Sequence, residues 1–457
     1  MRFGIKGAAL EGVRIADFCW LWAGAYATGL LALLGAEVIK IESMARLDPT
    51  RSMTLTMGRA FEGVDHSPVF NGINLNKLSI RLNLKEPKGV ELAKRIVQVS
   101  DVAAENMRPG AMEKIGLGYD VLKEVKPDII MLSSSAFGGE GPMRRYGGYA
   151  PSFACYSGVA HLTGYSDGPP NPLTGSTDLM SAATGAFAII AALNHRQHTG
   201  QGQHIDMSSV ESLTAFTGDA IMDYIMTGAV QSRVGNRDRI MAPHNCYRCH
   251  ADDSGAASSP NPDNEWEAFC KKAGHPEWIS EDEFSDTYKR WAENKEFGAE
   301  SDKWVSIAIA TDEEWRAFCD ATGHPEWAVD ERFADAYSRW KNQEELDRLI
   351  GDWTINYTHY EVTDILQKAG VAAMPSLSNE EIFSDAHFKE RGLATEVQHP
   401  DMGRQVVLGP PWRFSESPAG VTRFAPLFGE HNEYVFGELL GMPKKEINQL
   451  TEEGVIY

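Results

Sequence analysis

Cysteine is scarce in this chain, with six residues among 457. That number is too small for a disulfide framework in a chain of this length. Long apolar runs are also lacking, since none reaches the ~18 residues that a membrane span requires. Charges and glycines interrupt the N-terminal stretch MRFGIKGAALEGVRIADF, which leaves it without a signal-peptide core. We therefore expect a cytoplasmic protein that does not associate with membranes.

Positive charge is also deficient. Lys and Arg number 43 against 64 Asp and Glu, and the formal net charge is −21. Such a balance argues against general binding to nucleic acid or to anionic membrane surfaces. A polyanionic ligand would need a local cluster of cations that works against this background.

A dinucleotide-binding fingerprint is missing as well. The segment after the first predicted strand reads CWLWAGAYATG and contains no G-x-G-x-x-G. What the first 140 residues do contain is an alternation of short β-rich runs and helix-like segments. The β-rich runs are GVRIADF, EVIKIES, LSIRLNL, DVAAEN and DIIMLSSSAFG. This alternation predicts an α/β domain with an open parallel sheet and helices on both faces.

The chain is too long for one ordinary core, and two domains are expected. Residues 178–198 and 206–227 have the composition of two long helices, which complete a large domain over 1–227. A smaller α/β domain over 246–390 contains a duplicated helical unit, because 265–291 and 314–340 match at a spacing of 49 residues. We expect the repeated Trp, Phe and Cys to be core residues.

The motif CYRCH places Cys246, Cys249 and His250 in a C-x-x-C-H spacing. Haem attachment through such a motif requires export, for which the sequence has no signal. Zinc remains an alternative, since Cys270 and His275 would complete four ligands. However, the second repeat has Cys319 and His324 without a second C-x-x-C, which favours helix packing and no metal.

Ligands of open parallel sheets lie beyond the carboxyl ends of the strands. Several cations fall at such predicted strand ends, where they are candidates to bind a phosphate-bearing ligand: Lys40, Arg51, Lys77, Arg108 and Lys114. The alternative for each is an ordinary solvated surface charge.

Asp178 stands at the mouth of a long apolar run in NPLTGSTDLMSAATGAFAII. An acidic residue just before such a helix is typical of an N-cap. A carboxylate in that place is also held ionised by the positive end of the helix dipole. Since the ionised form can attack a thioester, Asp178 is a candidate nucleophile.

Ordered blocks along nearly the whole chain resemble one enzyme family. They include LEGVRIADF, AGAYATGLLALLGAEVIKIES, NLNKLSIRLNL, AENMRPGAMEKIGLGYDVL, SSSAFGGEGP, GSTDLMSAATGAF and GEHNEYV. On these motifs the chain resembles the class III CoA-transferases. The resemblance implies an open Rossmann-like large domain built from both chain ends, to which 391–457 return. It also implies a smaller domain and an interlocked dimer.

The resemblance further implies that Asp178 is the nucleophile and that a CoA thioester is a substrate, with no permanently bound cofactor. An acyl-CoA donor would yield an aspartyl anhydride and then an aspartyl-CoA thioester, which a carboxylic acid acceptor resolves. The positions that match the family's CoA contacts are Trp22, Ala23, Ser43, Asn74, Leu75, Asn76, Asn106, Met107, Arg108, Lys114, Ser135, Ala136, Phe137 and Gly138.

Two alternatives remain open. The chain also resembles α-methylacyl-CoA racemase, but Tyr149 stands where that enzyme needs a histidine base. It could instead be a non-catalytic subunit that supports an active relative, because MAPHNCYRCHADDSG replaces the glycine-rich loop of formyl-CoA transferase. The chain departs from the family pattern in two further places. Ala182 stands where glycine is common in the family, and the first repeat copy, 265–291, looks like an insertion.

The acceptor is suggested by aromatic residues after the first strand. If Trp20, Trp22 and Tyr26 face the site, they favour a bulky or aromatic acid. The same stretch resembles succinyl-CoA:benzylsuccinate CoA-transferases, which act on dicarboxylates and pair two related subunits. The partner chain is therefore expected to be either identical or related.

Overall fold

The computed structural model describes residues 3–52, 63–173, 175–238, 241–250 and 303–457. Its main sheet has six strands in the order β3-β2-β1-β4-β5-β6, and every adjacent pair is parallel. The strands are β1 Arg14–Asp17, β2 Glu37–Glu42, β3 Leu78–Arg81, β4 Val102–Glu105, β5 Ile130–Ser135 and β6 His204–Ser208. This order is that of a Rossmann-like fold, and the α/β prediction is confirmed.

Helices cover both faces of this sheet. They are α1 Ala23–Leu33, α2 Pro68–Ile73, α3 Pro87–Gln98, α4 Ala111–Lys114, α5 Tyr119–Val125, α6 Ala150–Tyr156, α7 Val159–Leu162, α8 Ser176–Thr199, α9 Ser209–Thr214 and α10 Gly218–Thr227. Short 3₁₀ turns occur at Pro49–Arg51 and Ala215–Thr217.

Successive strand residues enter two different cores. Ile15 packs with α1 and α8 on one face, whereas Ala16 packs with α3 and α5 on the other. In the same way, Val102 lies in the core of Ile15 and Ala103 lies in the core of Ala16. Because side chains alternate along a strand, a sheet covered on both faces needs near-continuous apolar strands. This explains why the β-rich runs could be found in the sequence.

The helix expected over 206–227 is wrong in its first part. Residues 204–208 form β6, which pairs with β5 so that Asp206 lies opposite Ser133. The strand is only five residues long, and its sequence HIDMS is too short to reveal its period. Long-range pairing with β5 therefore decides its structure.

A second, antiparallel sheet has the order β7-β8-β9. Its strands are β7 His244–Cys249, β8 Lys303–Ala308 and β9 Ala372–Pro375. The surrounding elements are α11 Asp312–Thr322, a 3₁₀ turn Pro325–Val329, α12 Ala336–Lys341, α13 Gln343–Thr354 and α14 His359–Lys368. Trp315, Phe318 and Cys319 are buried in their common core, as expected for the second repeat copy. The first copy, 265–291, lies outside the described residues.

The C-terminal part of the chain packs back against the main sheet. The first helix after β9, α15 Asn379–Ser384, still adjoins the smaller sheet, since Glu381 pairs with Lys303 of β8 at 2.9 Å. The elements that follow are α16 Ala386–Glu390, a hairpin of β10 Ala394–His399 and β11 Gly403–Leu408, a π-helix Glu433–Leu439 and α17 Lys444–Glu452. Tyr434 and Phe436 belong to the same core as α3, and the Tyr434 hydroxyl donates to Glu37 at 3.0 Å.

By length and composition α8 could cross a membrane, although its sequence has no uninterrupted apolar run of that length. One such helix is weak evidence, since core helices share these properties. Ile189 and Ala192 of α8 are buried against the sheet, which accounts for part of its apolar content.

Candidate active site

The strand order changes direction between β1 and β4, since the chain moves outward from β1 through β2 to β3 and then returns to β4. A crevice forms at such a point beyond the carboxyl ends of the strands, and ligands bind there. The loops that follow β1, β4 and β5 meet this edge, and they carry residues 18–22, 106–110 and 136–139.

Asp178 lies at the same edge of the sheet. It is the third residue of α8, the helix that leads from the carboxyl edge back to the start of β6. A Cβ added at Gly185 would lie 3.4 Å from Leu132 of β5 and 3.6 Å from Ala27 of α1. Asp178 precedes Gly185 by seven residues, or ~10 Å of helix. The first turn of α8 therefore lies toward the carboxyl edge of the sheet.

The Asp178 carboxylate is half-buried, and within the described part of the chain it has no hydrogen bond or ion pair. Gly175 occupies the N-cap position with φ +85°, and no side chain caps the helix. The N-cap interpretation of Asp178 is therefore wrong. Burial raises the pKa of Asp178 to about 6, so at neutral pH the group is ionised but more basic than an ordinary aspartate.

The loop after β5 is held in place by Asp206. Gly139 N–H donates to both oxygens of Asp206, at 2.8 and 2.9 Å. Gly138 has φ +79°, a conformation that favours glycine. Phe137 packs in the same apolar cluster as Met180 of α8, which joins the loop to the first turns of that helix.

Several exposed cations follow the carboxyl ends of the strands. The Arg46 guanidinium lies 4.1 Å from the ring centroid of Trp20. Arg108 passes over the next loop, since a Cβ at Gly147 would lie 2.9 Å from its Nη2. Five exposed cations that follow the carboxyl ends of β2, β4 and β5 have no ion pair in the described ranges, namely Arg46, Arg108, Lys114, Arg144 and Arg145. Together they form a positive rim that could bind an anionic ligand, and we call these five residues the cationic rim.

Comparisons with known proteins bear on this arrangement. The model of "CoA-transferase family III" matches residues 10–301 and 297–432. The chain belongs to CoA-transferase family III.

Relatives cover almost the whole length of this family III member. It is 31% identical to a succinyl-CoA–D-citramalate CoA-transferase from Chloroflexus aurantiacus, over 98% of both chains. It is 28% identical to the succinyl-CoA–L-malate CoA-transferase beta subunit of the same organism, again over 98% of both. A solved CaiB/BaiF family protein from Brucella suis has a TM-score of 0.75 at 26% identity, covering 95% of this chain and 100% of that one. The family resemblance, the fold class and the identity as a transferase enzyme are confirmed.

Three of the five candidate cations are not available to a ligand of this CoA-transferase. Arg51 is 1% exposed and pairs with Glu42 at 2.8 Å and with Asp65 at 2.6 Å. Lys40 and Lys77 are buried in ion pairs of their own. The prediction of phosphate contacts by these three side chains is corrected, because each already neutralises a buried carboxylate.

The segment Asn74–Asn76 is also internal. Asn74 donates to Phe70 O within its own turn, and Leu75 is buried. The Asn76 amide accepts from Thr422 N–H and donates to Gly420 O, which ties the C-terminal segment to the sheet. All three side chains are buried within the large domain.

The remaining expected contacts gather at the carboxyl edge. Half-buried residues of these loops are Trp22, Ala23, Ser43, Asn106, Met107, Ser135, Ala136 and Phe137. The Ser135 hydroxyl is buried with no hydrogen-bond partner in the described ranges. Arg108 and Lys114 are exposed beside them.

Sequence reasoning missed two contributors. The sequence predicts a helix at Asp206. Its hydrogen bond with Gly139 in the loop after β5 could therefore not be predicted from the sequence. Arg46 lies beyond the end of β2 and could have joined the candidate cations, but its stacking on Trp20 depends on tertiary structure.

Among the described residues no group of three or more His, Cys, Asp or Glu side chains is placed to hold a metal. Cys246 is half-buried and Cys249 buried, and neither forms a disulfide among the described residues, whereas Cys270 and His275 lie outside them. Tyr149, the position at which a racemase would need histidine, is 72% exposed.

Replacing Arg51 by alanine should lower the free energy of unfolding by ~3–5 kcal/mol, because the buried Glu42 and the half-buried Asp65 lose their partner. Lys88→Ala is the matched control: it breaks the exposed pair with Glu453 and should cost ~1 kcal/mol or less. Denaturant unfolding measures both. A stable Arg51→Ala variant with a raised KM for acyl-CoA would instead make Arg51 a ligand contact.

Proposed function

We propose that this family III enzyme transfers CoA from an acyl-CoA donor to a carboxylic acid acceptor through a covalent intermediate on Asp178. The supporting observation is a half-buried carboxylate with no partner in the described ranges, located at the carboxyl edge of a parallel sheet. Such a group is desolvated and basic, and it has no neighbour that would lower its nucleophilicity.

The proposed reaction proceeds by reversible acyl transfers. Asp178 attacks the thioester carbonyl of the donor, the C–S bond breaks, and an aspartyl anhydride and a CoA thiolate form. The thiolate attacks the aspartyl carbonyl, which releases the donor acid and leaves an aspartyl-CoA thioester. The acceptor carboxylate then repeats the sequence in reverse and leaves with CoA. One thioester replaces another, so no external energy source is required.

Each carbonyl attack creates an oxyanion that needs hydrogen-bond donors. The backbone N–H groups of Phe137 and Gly138 have no acceptor among the described residues, and the Ser135 hydroxyl is unpartnered. Asp206 anchors the next residue, Gly139, which keeps this loop in place. We propose that these donors stabilise the oxyanion, because preorganised donors need no rearrangement during the reaction.

The cationic rim is proposed to bind the phosphates of CoA. Its charges oppose the net charge of −21 and are concentrated at one edge of the sheet. None of the five side chains is neutralised by a carboxylate among the described residues. Binding of the remote part of CoA can then position the thioester near Asp178.

The acceptor is proposed to be a dicarboxylic or aromatic-substituted acid. The two relatives described above are named for citramalate and malate, both of which are dicarboxylates. Trp20 and Trp22 are half-buried in the loop after β1, and the Arg46 cation lies over Trp20. This combination of aromatic surface and positive charge would suit an acid with a second carboxylate or a ring.

We also propose that two chains assemble in the interlocked manner of the family, in the cytoplasm. α10 has no buried residue, and α8 and α10 expose large apolar side chains, namely Leu179, Phe187, Ile190, Ile221, Met222, Tyr224, Ile225 and Met226. Large apolar side chains exposed in such number favour an interface with another chain. Because one relative is named as a beta subunit, the partner is either a second copy or a related chain.

Asp178→Asn should abolish CoA exchange while changing the free energy of unfolding by only ~0.5 kcal/mol or less, since no cap or ion pair is lost. Intact mass after incubation with succinyl-CoA should show a CoA-sized adduct on the Asp178 peptide of the unmodified chain. Asp120→Asn, which removes a carboxylate from the first turn of α5, is the matched control.

The same incubation separates the alternatives. Exchange activity in Asp178→Asn would end the proposal. An inactive wild-type chain without an adduct would support the non-catalytic subunit, and loss of stereochemistry at a 2-methylacyl-CoA without exchange would support the racemase.

The activity should depend on pH near the pKa of Asp178. The ionised carboxylate is the reactive form, and its pKa is about 6. The value of kcat/KM for acyl-CoA should therefore be level above pH 7 and fall roughly tenfold per unit below pH 6. A profile that stays level down to pH 4.5 would mean that a carboxylate with an ordinary pKa, or another group, reacts.

Light scattering after gel filtration should give twice the chain mass of 50.4 kDa. The double variant Ile225→Asp/Met226→Asp should shift the mass toward one chain, because it places charge in the apolar face of α10. Val329→Asp, at an exposed apolar residue of the smaller sheet's domain, should not. A single-chain mass for the wild type, alone and with a related chain, would contradict the assembly.

A further inference from the structure

The loop between β1 and α1, residues Cys19–Leu21, is held entirely by side chains. Its three consecutive N–H groups donate to three carboxylate or amide oxygens. Cys19 N–H donates to Asp17 Oδ1 at 3.0 Å, Trp20 N–H to Asn106 Oδ1 at 2.8 Å, and Leu21 N–H to Asp48 Oδ1 at 3.2 Å. In a helix or a strand these N–H groups would donate to backbone carbonyl groups. Here they depend on side chains instead.

Two of the three carbonyl groups of the same loop also accept from side chains. Lys40 Nζ donates to Cys19 O at 2.8 Å, and Asn106 Nδ2 donates to Trp20 O at 2.7 Å. Asn106 therefore bonds both polar groups of the Trp20 backbone, and it does so from the end of β4. The two loops on either side of the point where the strand order reverses are thereby joined.

Two buried ion pairs support this arrangement. Lys77 pairs with Asp17 at 2.9 Å and Lys40 with Asp48 at 2.8 Å, and all four side chains are at most 1% exposed. Burial alone would lower the pKa of Lys40, but Asp48 and Glu42 raise it above its usual value, so the pair stays charged. Buried pairs of this kind are often replaceable by apolar residues without loss of stability. The stability of the fold alone therefore does not explain why two buried ion pairs lie next to the loop Cys19–Leu21.

The held loop has an unfavourable conformation. Leu21 has φ +56°, which is rare for a residue with a side chain. Next to it, a Cβ at Gly24 would lie 2.7 Å from Asn106 Cγ and 2.8 Å from Cys19 Sγ, so the start of α1 packs directly on Asn106. Such strain persists only where the surroundings impose it, and it is concentrated at functional sites.

We propose that Asn106, together with the Asp17–Lys77 and Lys40–Asp48 pairs, positions Trp20 and Trp22 in the crevice for acyl-CoA. Asn106 is then a positioning residue, and its amide is used by the Trp20 backbone and not by the ligand. Because Arg46 stacks on Trp20, the same contacts also locate one cation of the rim. This inference rests on the proposed function and concerns how its binding site is built.

The test compares Asn106→Ala with Asn432→Ala. The Asn432 amide also accepts from one backbone N–H, of Arg81, and donates to one carbonyl, of Tyr457, but at the sheet's outer strand. Asn106→Ala should raise the KM for succinyl-CoA roughly tenfold or more, since small displacements of positioning groups have large effects. Asn432→Ala should lower the thermal midpoint by a similar amount and leave KM unchanged. If Asn106→Ala does not fold, Asn106→Asp, which keeps the acceptor for Trp20 N–H, gives the same comparison.

Hydrogen exchange gives a readout that is independent of turnover. In the free protein, Asn106→Ala should accelerate exchange in the peptide that covers 19–22, whereas Asn432→Ala should not. Equal KM values for the two variants, or unchanged exchange in 19–22, would overturn the inference. If the wild type neither binds nor turns over succinyl-CoA, the proposed function fails, and the exchange result still decides whether Asn106 holds the loop.

Discussion

Parallel pairing of six strands, with both faces buried, constrains everything else in the large domain. All strands must point the same way, so all of their carboxyl ends meet at one edge. The helices must cross back on either face, so α8 begins at that edge. Residues that are far apart in sequence, such as Trp20, Asn106 and Asp178, are thereby brought to the same side of the sheet.

Charged side chains at this edge are of two kinds, those in buried ion pairs and those without a partner in the described ranges. Beneath it, Lys40, Lys77 and Arg51 are buried and each neutralises a carboxylate. At its surface, Asp178 has no partner in the described ranges, and burial raises its pKa. The paired charges hold loops in place, whereas the unpaired carboxylate retains the reactivity that a nucleophile needs. The proposed reaction needs both, because it uses a basic carboxylate and accurate positioning of a long substrate.

The small domain is organised around a single apolar core. Its antiparallel sheet and helices enclose a core rich in aromatic residues, including Trp315, Phe318 and Phe333. The second copy of the sequence repeat supplies much of this core, which agrees with the packing interpretation of its Trp, Phe and Cys. No described residue of this domain takes part in the site proposed above, so the domain would influence the reaction through the assembly or the acceptor.

The sequence by itself determined the α/β class, most of the strands of the main sheet and the place of Asp178 near a helix start. These features depend on local apolar patterns and short motifs, which are readable in one dimension. Only the tertiary structure decided that residues 204–208 are a strand, that Arg51 is internal and that Arg46 joins the rim. Strand pairing, burial and ion-pair choice depend on which distant residues meet, and a linear pattern carries no record of those partners.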